Sequence, residues 1–408
     1  MTDIQQKLLT LLTDLDAVCQ REGIRYYLCL ETALGAYRNE AFFPSCCEAN
    51  VAMTVEDALR FIKAVRKENR TDRVVDSMYT NKNYPDFTVR YGDAGTLMMQ
   101  LPYNEASVVP AIAVTIHMIR YKGKRSSKIY RTTRTLWKAC VKPTVAVAGF
   151  SRRAAVIACH GAKNLLGGRL FSRHLFKLWV SIHRHKNNKN VSICAGTYKF
   201  PQELIAGTTT TVTLEGQAFP TFAELETYFE KAFGKKWETC KPVYLTPSSA
   251  LLASANVSYR EYIRRSKDHI NYKAIQKKKI KLDLIQAKVS LYNHKINGYY
   301  AIVDRTQRRF AMYEKYMPMK STLVQLHQEE RWEELNELLK PYRSALWACY
   351  KKKLGLCFDK DIFEMTMDIL LREGSKTYVR KLRAMVPESH WEPLVITDYK
   401  GEPINYVG

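Results

Sequence analysis

Ile4, Leu8, Leu11, Leu12, Leu15 and Val18 recur every three or four positions, and Gly23 follows the last turn of the pattern. That spacing predicts an amphipathic helix over residues 4–22 that stops at the glycine. The next apolar stretches are shorter and change period. Arg25–Leu30 predicts a strand, Thr32–Tyr37 a second helix, Ala49–Met53 a further strand after the Pro44 break, and Val55–Lys67 a third helix. Strands return at Phe87–Tyr91, Thr96–Leu101 and Ile112–Arg120. The last of these is the β-branched run of a strand buried on both faces.

A helical period resumes over 132–185, most clearly at Ser151–Leu166 and Leu170–His183, and KNNKN at 186–190 reads as a loop. Short β pieces broken by glycine and proline fill 191–220, and the segment from Thr221 to Trp237 holds a helix ended by Gly234. Beyond Tyr259 the pattern is helical almost throughout. The expected organisation is therefore an α/β (α+β) domain over 1–265, a mixed sheet flanked by helices, followed by an all-α region over 266–408. No internal repeat or low-complexity tract interrupts it.

Composition changes this picture only through charge. The 408 residues include 64 Lys and Arg against 40 Asp and Glu, a net charge of +24, which favours anionic partners. The ten cysteines include no CxxC pair and suit free thiols in a reducing compartment. Asp3, Asp14 and Asp16 interrupt the first helix, so it lacks the layout of a signal peptide. The apolar stretch 145–159 is broken by Arg152 and Arg153 and falls short of the ~20 residues a spanning helix needs. A cytoplasmic protein, or one peripheral to the inner face of the membrane, is expected. The basic segment RRSKDHINYKAIQKKKIKL at 264–282 is the candidate contact with an anionic membrane. Nucleic acid is the less favoured partner, because no stacking motif accompanies the charge. His183 and His185 read as a polar helix end.

Residues 30–53, LETALGAYRNEAFFPSCCEANVAM, have the layout of an active-site loop. With Tyr26, Leu28, Thr32, Leu34, Gly35, Arg38, Phe43 and Pro44 in place, the stretch resembles the LicD family of phosphotransferases, which attach phosphocholine to cell-surface glycans and are related to fukutin-type proteins of the nucleotidyltransferase superfamily. The resemblance continues in PDFTVRYGDAGT at 85–96 and TVTLEGQAFPTFAELETYFEKAFGKKWETCKP at 211–242, and so covers roughly residues 5–245.

That resemblance implies a nucleotidyltransferase-like mixed sheet. It also implies a site in which carboxylates on two neighbouring strands hold Mg²⁺ or Mn²⁺ against a nucleotide-borne phosphoryl group. Here the carboxylate positions carry Cys46, Cys47, Glu48 and Asn50, with Thr115 on the neighbouring strand, and the glycine pair that admits phosphate is Leu30 and Glu31. The expectation is a decayed metal site at Glu48, Asn50 and Thr115, no cofactor, and a binding or partner role toward a nucleotide-linked donor, a glycan or an intact paralogue. Thr32, Gly35, Arg38 and Arg90 remain as substrate contacts, the arginines because their forks match phosphate. Two alternatives stay open: an active phosphotransferase with Mg²⁺ or Mn²⁺ rearranged around Glu48, and a softer metal such as zinc held by Cys46, Glu48 and His117, since alternation would put Cys46, Glu48 and Asn50 on one strand face and Thr115 and His117 on that of the neighbouring strand.

Overall fold

The computed structural model of the chain describes residues 1–100, 108–121, 137, 158–159, 161–183, 190–193, 200–207, 209–242, 244, 252–265, 307–351 and 357–386. The predicted helix at 151–166 is thus covered only in its last turns. The loop at 186–189, His185 and nearly all of the basic segment 264–282 lie outside the described residues. The described residues fall into two compact units that divide between Ser258 and Tyr259.

The first unit is mixed α/β. Helix α1 (Asp3–Glu22) opens on a capping box between Thr2 and Gln5 and ends at Gly23, whose φ of 60° only glycine adopts without strain. There follow β1 (Tyr27–Leu28), α2 (Leu30–Asn39), β2 (Ala49–Thr54) and α3 (Val55–Glu68), then β3 (Arg73–Ser77), β4 (Thr88–Asp93), β5 (Leu97–Met99) and β6 (Ile112–Tyr121). After these come α4 (Arg169–His183), β7 (Asn190–Ile193), β8 (Phe200–Pro201), α5 (Glu203–Ala206), β9 (Thr210–Leu214), β10 (Gln217–Thr221), α6 (Leu225–Phe233) and β11 (Leu252–Ser254). The main sheet runs β3-β4-β6-β2-β1-β10-β9, with β7 and β8 continuing beside the far end of β6. Strands β2 and β6 pair in parallel, β4 and β6 antiparallel, and β5 pairs separately with β11. Strands β3 and β11 were not predicted, and β1 is shorter than expected.

The two faces of the sheet differ. Val51, Met53, Val89, Tyr91, Val114, Ile116 and Met118 share one face and are fully buried, with α1 crossing β4 and β6, and α3 crossing β2 and β6. Asn50, Thr88, Arg90, Thr115 and His117 share the other, because cross-strand partners point to the same side. A cluster at Asp14 ties the apolar layer together: its carboxylate accepts from Tyr91 Oη at 2.6 Å, Arg70 Nη1 at 2.8 Å and Arg73 Nε at 2.6 Å, so α1 is pinned to β3 and β4.

In the second unit, α7 (Tyr259–Arg265) precedes α8 (Lys320–Gln328), α9 (Trp332–Lys351), α10 (Lys360–Arg372) and α11 (Lys376–Met385). Pro341 interrupts α9, and Tyr316 repairs the break: its hydroxyl accepts from Tyr342 N at 3.1 Å and donates to Leu338 O at 3.0 Å, bridging one turn of the opened ladder.

Burial raises the Asp14 pKa, but the hydrogen bonds from Tyr91, Arg70 and Arg73 outweigh it and hold the carboxyl below its ordinary 3.8. Because the folded value is the lower one, this stabilisation is complete above the unfolded pKa and is lost as pH falls through the folded pKa. Asp14→Asn is expected to cost roughly 2–3 kcal/mol at neutral pH in denaturant unfolding, with the difference from the parent shrinking below pH 4.

Candidate functional site

The polar face of the sheet is built around the start of α2. Only Cys29 separates β1 from the helix, so the chain must turn within one residue, and Leu30 takes φ 51° to do it. For a bulky side chain the left-handed region costs about 1–2 kcal/mol. This is one of the two positions at which the family resemblance expects glycine. The turn is held by Cys29 N donating to Asn50 O at 3.1 Å and Leu30 N donating to Tyr228 Oη at 3.0 Å.

Asn50 is the hub. Its backbone N–H donates to Thr32 Oγ1 at 2.8 Å, its Nδ2 reaches Glu31 Oε2 at 3.5 Å, and its Oδ1 lies 3.0 Å from His117 Nε2. With the amide nitrogen directed at Glu31, Oδ1 is the acceptor and Nε2 of His117 carries the proton. The other ring nitrogen, Nδ1, is buried without a partner. Burial drives the His117 pKa down to about 4, so the ring is neutral at physiological pH.

A polar row crosses four strands, since Asn50 pairs with Thr115, Thr115 with Arg90, and Arg90 with Asp76. Asn50 and Thr115 therefore stand side by side on adjacent parallel strands. Arg90, expected as a phosphate contact, donates to Ala111 O at 3.0 Å and Val109 O at 3.4 Å, while Asp76 Oδ2 accepts from Val109 N at 2.8 Å. Together they fix the 109–111 approach to β6. Burial lifts Asp76 to about 6 against the opposing pull of that N–H and of Arg90. Asp76 was missed with its strand; the β-branched pair Val74-Val75 was the only local signal, and the segment shows no alternation.

The remaining expected contacts also have internal roles. Arg38 Nη1 donates to Cys240 O at 2.9 Å, tying α2 to the segment after α6. Gly35 is required by packing, because a Cβ there would stand 2.7 Å from Ala41 O.

Cys46 and Glu48 were expected to share a strand face with Asn50. They do not lie on a strand: Ser45 takes φ 58° and β2 begins only at Ala49. Cys46 Sγ turns to Glu48 O at 3.4 Å, and burial pushes its thiol up to about 12. Among the described residues no three His, Cys, Asp or Glu stand close enough to hold a metal ion, so Cys46, Glu48 and His117 are not assembled as a ligand set.

The carboxyl here that titrates nearest neutrality is Glu31. Burial, reinforced by the like charge of Glu48, raises its pKa to about 7. Glu31 and Glu48, with Asn50 between helix and strand, make a surface of acceptors that can hold a proton near neutrality.

No protein-family model matches the chain, and a search of curated proteins finds no relative.

Glu31 gives the site a pH signature. The native state binds more protons than the unfolded one between about pH 4.5 and pH 7, so stability falls as pH rises through that window. Glu31→Gln is expected to be more stable than the parent above pH 7, by up to about 3 kcal/mol, with the gain gone below pH 4.5. Urea unfolding at a series of pH values checks this; a pH-independent difference would mean Glu31 is not desolvated.

Proposed function

We propose that the chain is a LicD-like protein of a cell-surface glycan modification pathway, with a nucleotidyltransferase-type core whose metal site has decayed, so that it binds a ligand or partner enzyme rather than transferring a phosphoryl group. The observation that carries the reading is the juxtaposition of Asn50 and Thr115 on parallel neighbours, next to a left-handed backbone at Leu30. In a metal-dependent site of this class those two strand positions would carry converging carboxylates and the turn would carry glycine. Neutral side chains and a leucine stand there instead. The acceptor-rich surface at Glu31 and Glu48 fits the hydroxyls of a glycan better than a nucleotide phosphate, and Arg38 and Arg90, the two candidate phosphate forks, are engaged by backbone carbonyls.

A second reading, an active transferase rearranged around Glu48, is favoured by the proximity of Glu31 and Glu48. A carboxyl that titrates near neutrality is suited to general acid–base work.

Restoration separates the two. A variant with Leu30→Gly, Glu31→Gly, Glu48→Asp, Asn50→Asp and Thr115→Asp should lose stability without metal, because the new carboxylates repel, and regain about 2–3 kcal/mol with Mn²⁺ at a hundredfold excess over Kd. The parent should show no such gain in thermal unfolding. Stabilisation of the parent by Mn²⁺ that vanishes in Glu48→Gln would favour the second reading. A folded restoration variant indifferent to Mn²⁺ would remove the family reading altogether.

A further inference from the structure

Between Glu105 and Glu203 the chain carries nineteen Lys and Arg and not one Asp or Glu. A stretch of nearly a hundred residues free of acid cannot neutralise itself locally and calls for an anionic counterpart. Helix α4 lies inside it and buries one stripe, Leu175, Phe176, Trp179 and Val180, in the core of the first unit. That stripe satisfies the helix as a core element. It leaves Leu170 61% and Leu178 52% exposed, and in the preceding turn Leu165 is 89% and Leu166 64% exposed. Four leucines this exposed within fourteen residues are more apolar surface than a water-facing segment of that length needs. In the sequence Arg169, Arg173 and Lys177 follow one another at four-residue spacing along the same helix.

We propose that residues 161–183 form a docking surface for an anionic lipid bilayer, the exposed leucines entering the acyl boundary and the exposed Lys177, with Lys63 beside it, meeting the headgroups. Exposed leucines next to the exposed Lys177 and Lys63 are the combination found in a segment lying in the membrane interface. Nucleic acid would account for the charge but has no use for four exposed leucines, and no aromatic residue of the patch is free to stack on a base. A cavity of about 340 Å³ beside the helix, floored by Leu59, Tyr79, Phe176 and Val180 with Lys63 and Lys177 on its walls, could take a lipid headgroup or chain end. Among the described residues no helix is long and apolar enough to cross a membrane, so attachment here would be to one surface. This surface is separate from the polar face of the sheet and does not depend on the function proposed for it.

The test is co-sedimentation of the full chain with phosphatidylcholine vesicles and with vesicles containing phosphatidylglycerol. Binding is expected to the anionic vesicles, to weaken with added salt, and to fall by about tenfold for each leucine removed in Leu170→Ser and Leu178→Ser, with circular dichroism and melting unchanged. Lys177→Glu should weaken binding independently. The proposal is overturned if the serine variants bind anionic vesicles as the parent does, which would leave charge elsewhere in the chain as the cause. It is equally overturned if the parent binds single-stranded RNA but no vesicle, or if the leucines prove to mediate a concentration-dependent dimer in sedimentation.

Discussion

The parallel pairing of β2 with β6, with Asn50 opposite Thr115, is the constraint on which the site depends. Along β6 both edges are occupied, by β2 on one side and by β4 and then β7 on the other, so its backbone has little freedom to shift. A one-residue slip of β2 along β6 would turn Asn50 under α3 and expel Val51 and Met53 from the core. Burying the amide and exposing the two apolar side chains would cost several kcal/mol. The apolar face thus enforces the register, and the polar face inherits its geometry from it.

Within that geometry desolvation dominates. It pushes Glu31 up to about 7 and Asp76 to about 6 and brings His117 down to about 4, moving each toward its neutral form. At neutral pH this leaves His117 uncharged and Glu31 half protonated, while the ionised Asp76 is offset by Arg90 and the Val109 N–H. The exception is the unpartnered Nδ1 of His117, a neutral acceptor whose isolation costs far less than a buried charge would.

Sequence periodicity carried the elements whose signals are local. Helix α1 declares itself through its leucine spacing, its Thr2 and Gln5 cap and Gly23; β6 does so through ten residues of β-branched and apolar character; α6 ends at Gly234 as its glycine requires. The pairing of Asn50 with Thr115, sixty-five positions apart in the chain, is of a kind no periodicity could supply. What escaped was set by distant partners or by backbone at positive φ. Strand β3 is half exposed, and its Asp76 makes sense only through Val109 and Arg90. Leu30 and Ser45 adopt left-handed backbone with no glycine to announce it, which shortened β1 and detached Cys46 and Glu48 from β2. Arg38 and Arg90 were read as free forks, because sequence does not reveal the carbonyls of Cys240, Val109 and Ala111 that engage them.

The segment between α2 and β2 is anchored from three directions. Glu215, in the tight β9–β10 turn with Gly216, donates its N–H to Glu40 O at 2.7 Å and accepts from Phe42 N at 3.1 Å; Gln5 donates to Phe43 O at 3.0 Å; Tyr244 donates to Pro44 O at 3.2 Å and stacks on Phe43. A loop so held would need little further ordering for any ligand that met it. Association therefore carries little ordering entropy for this segment. Differences in affinity among related ligands at this rim would accordingly be written in how slowly they leave, not in how fast they arrive.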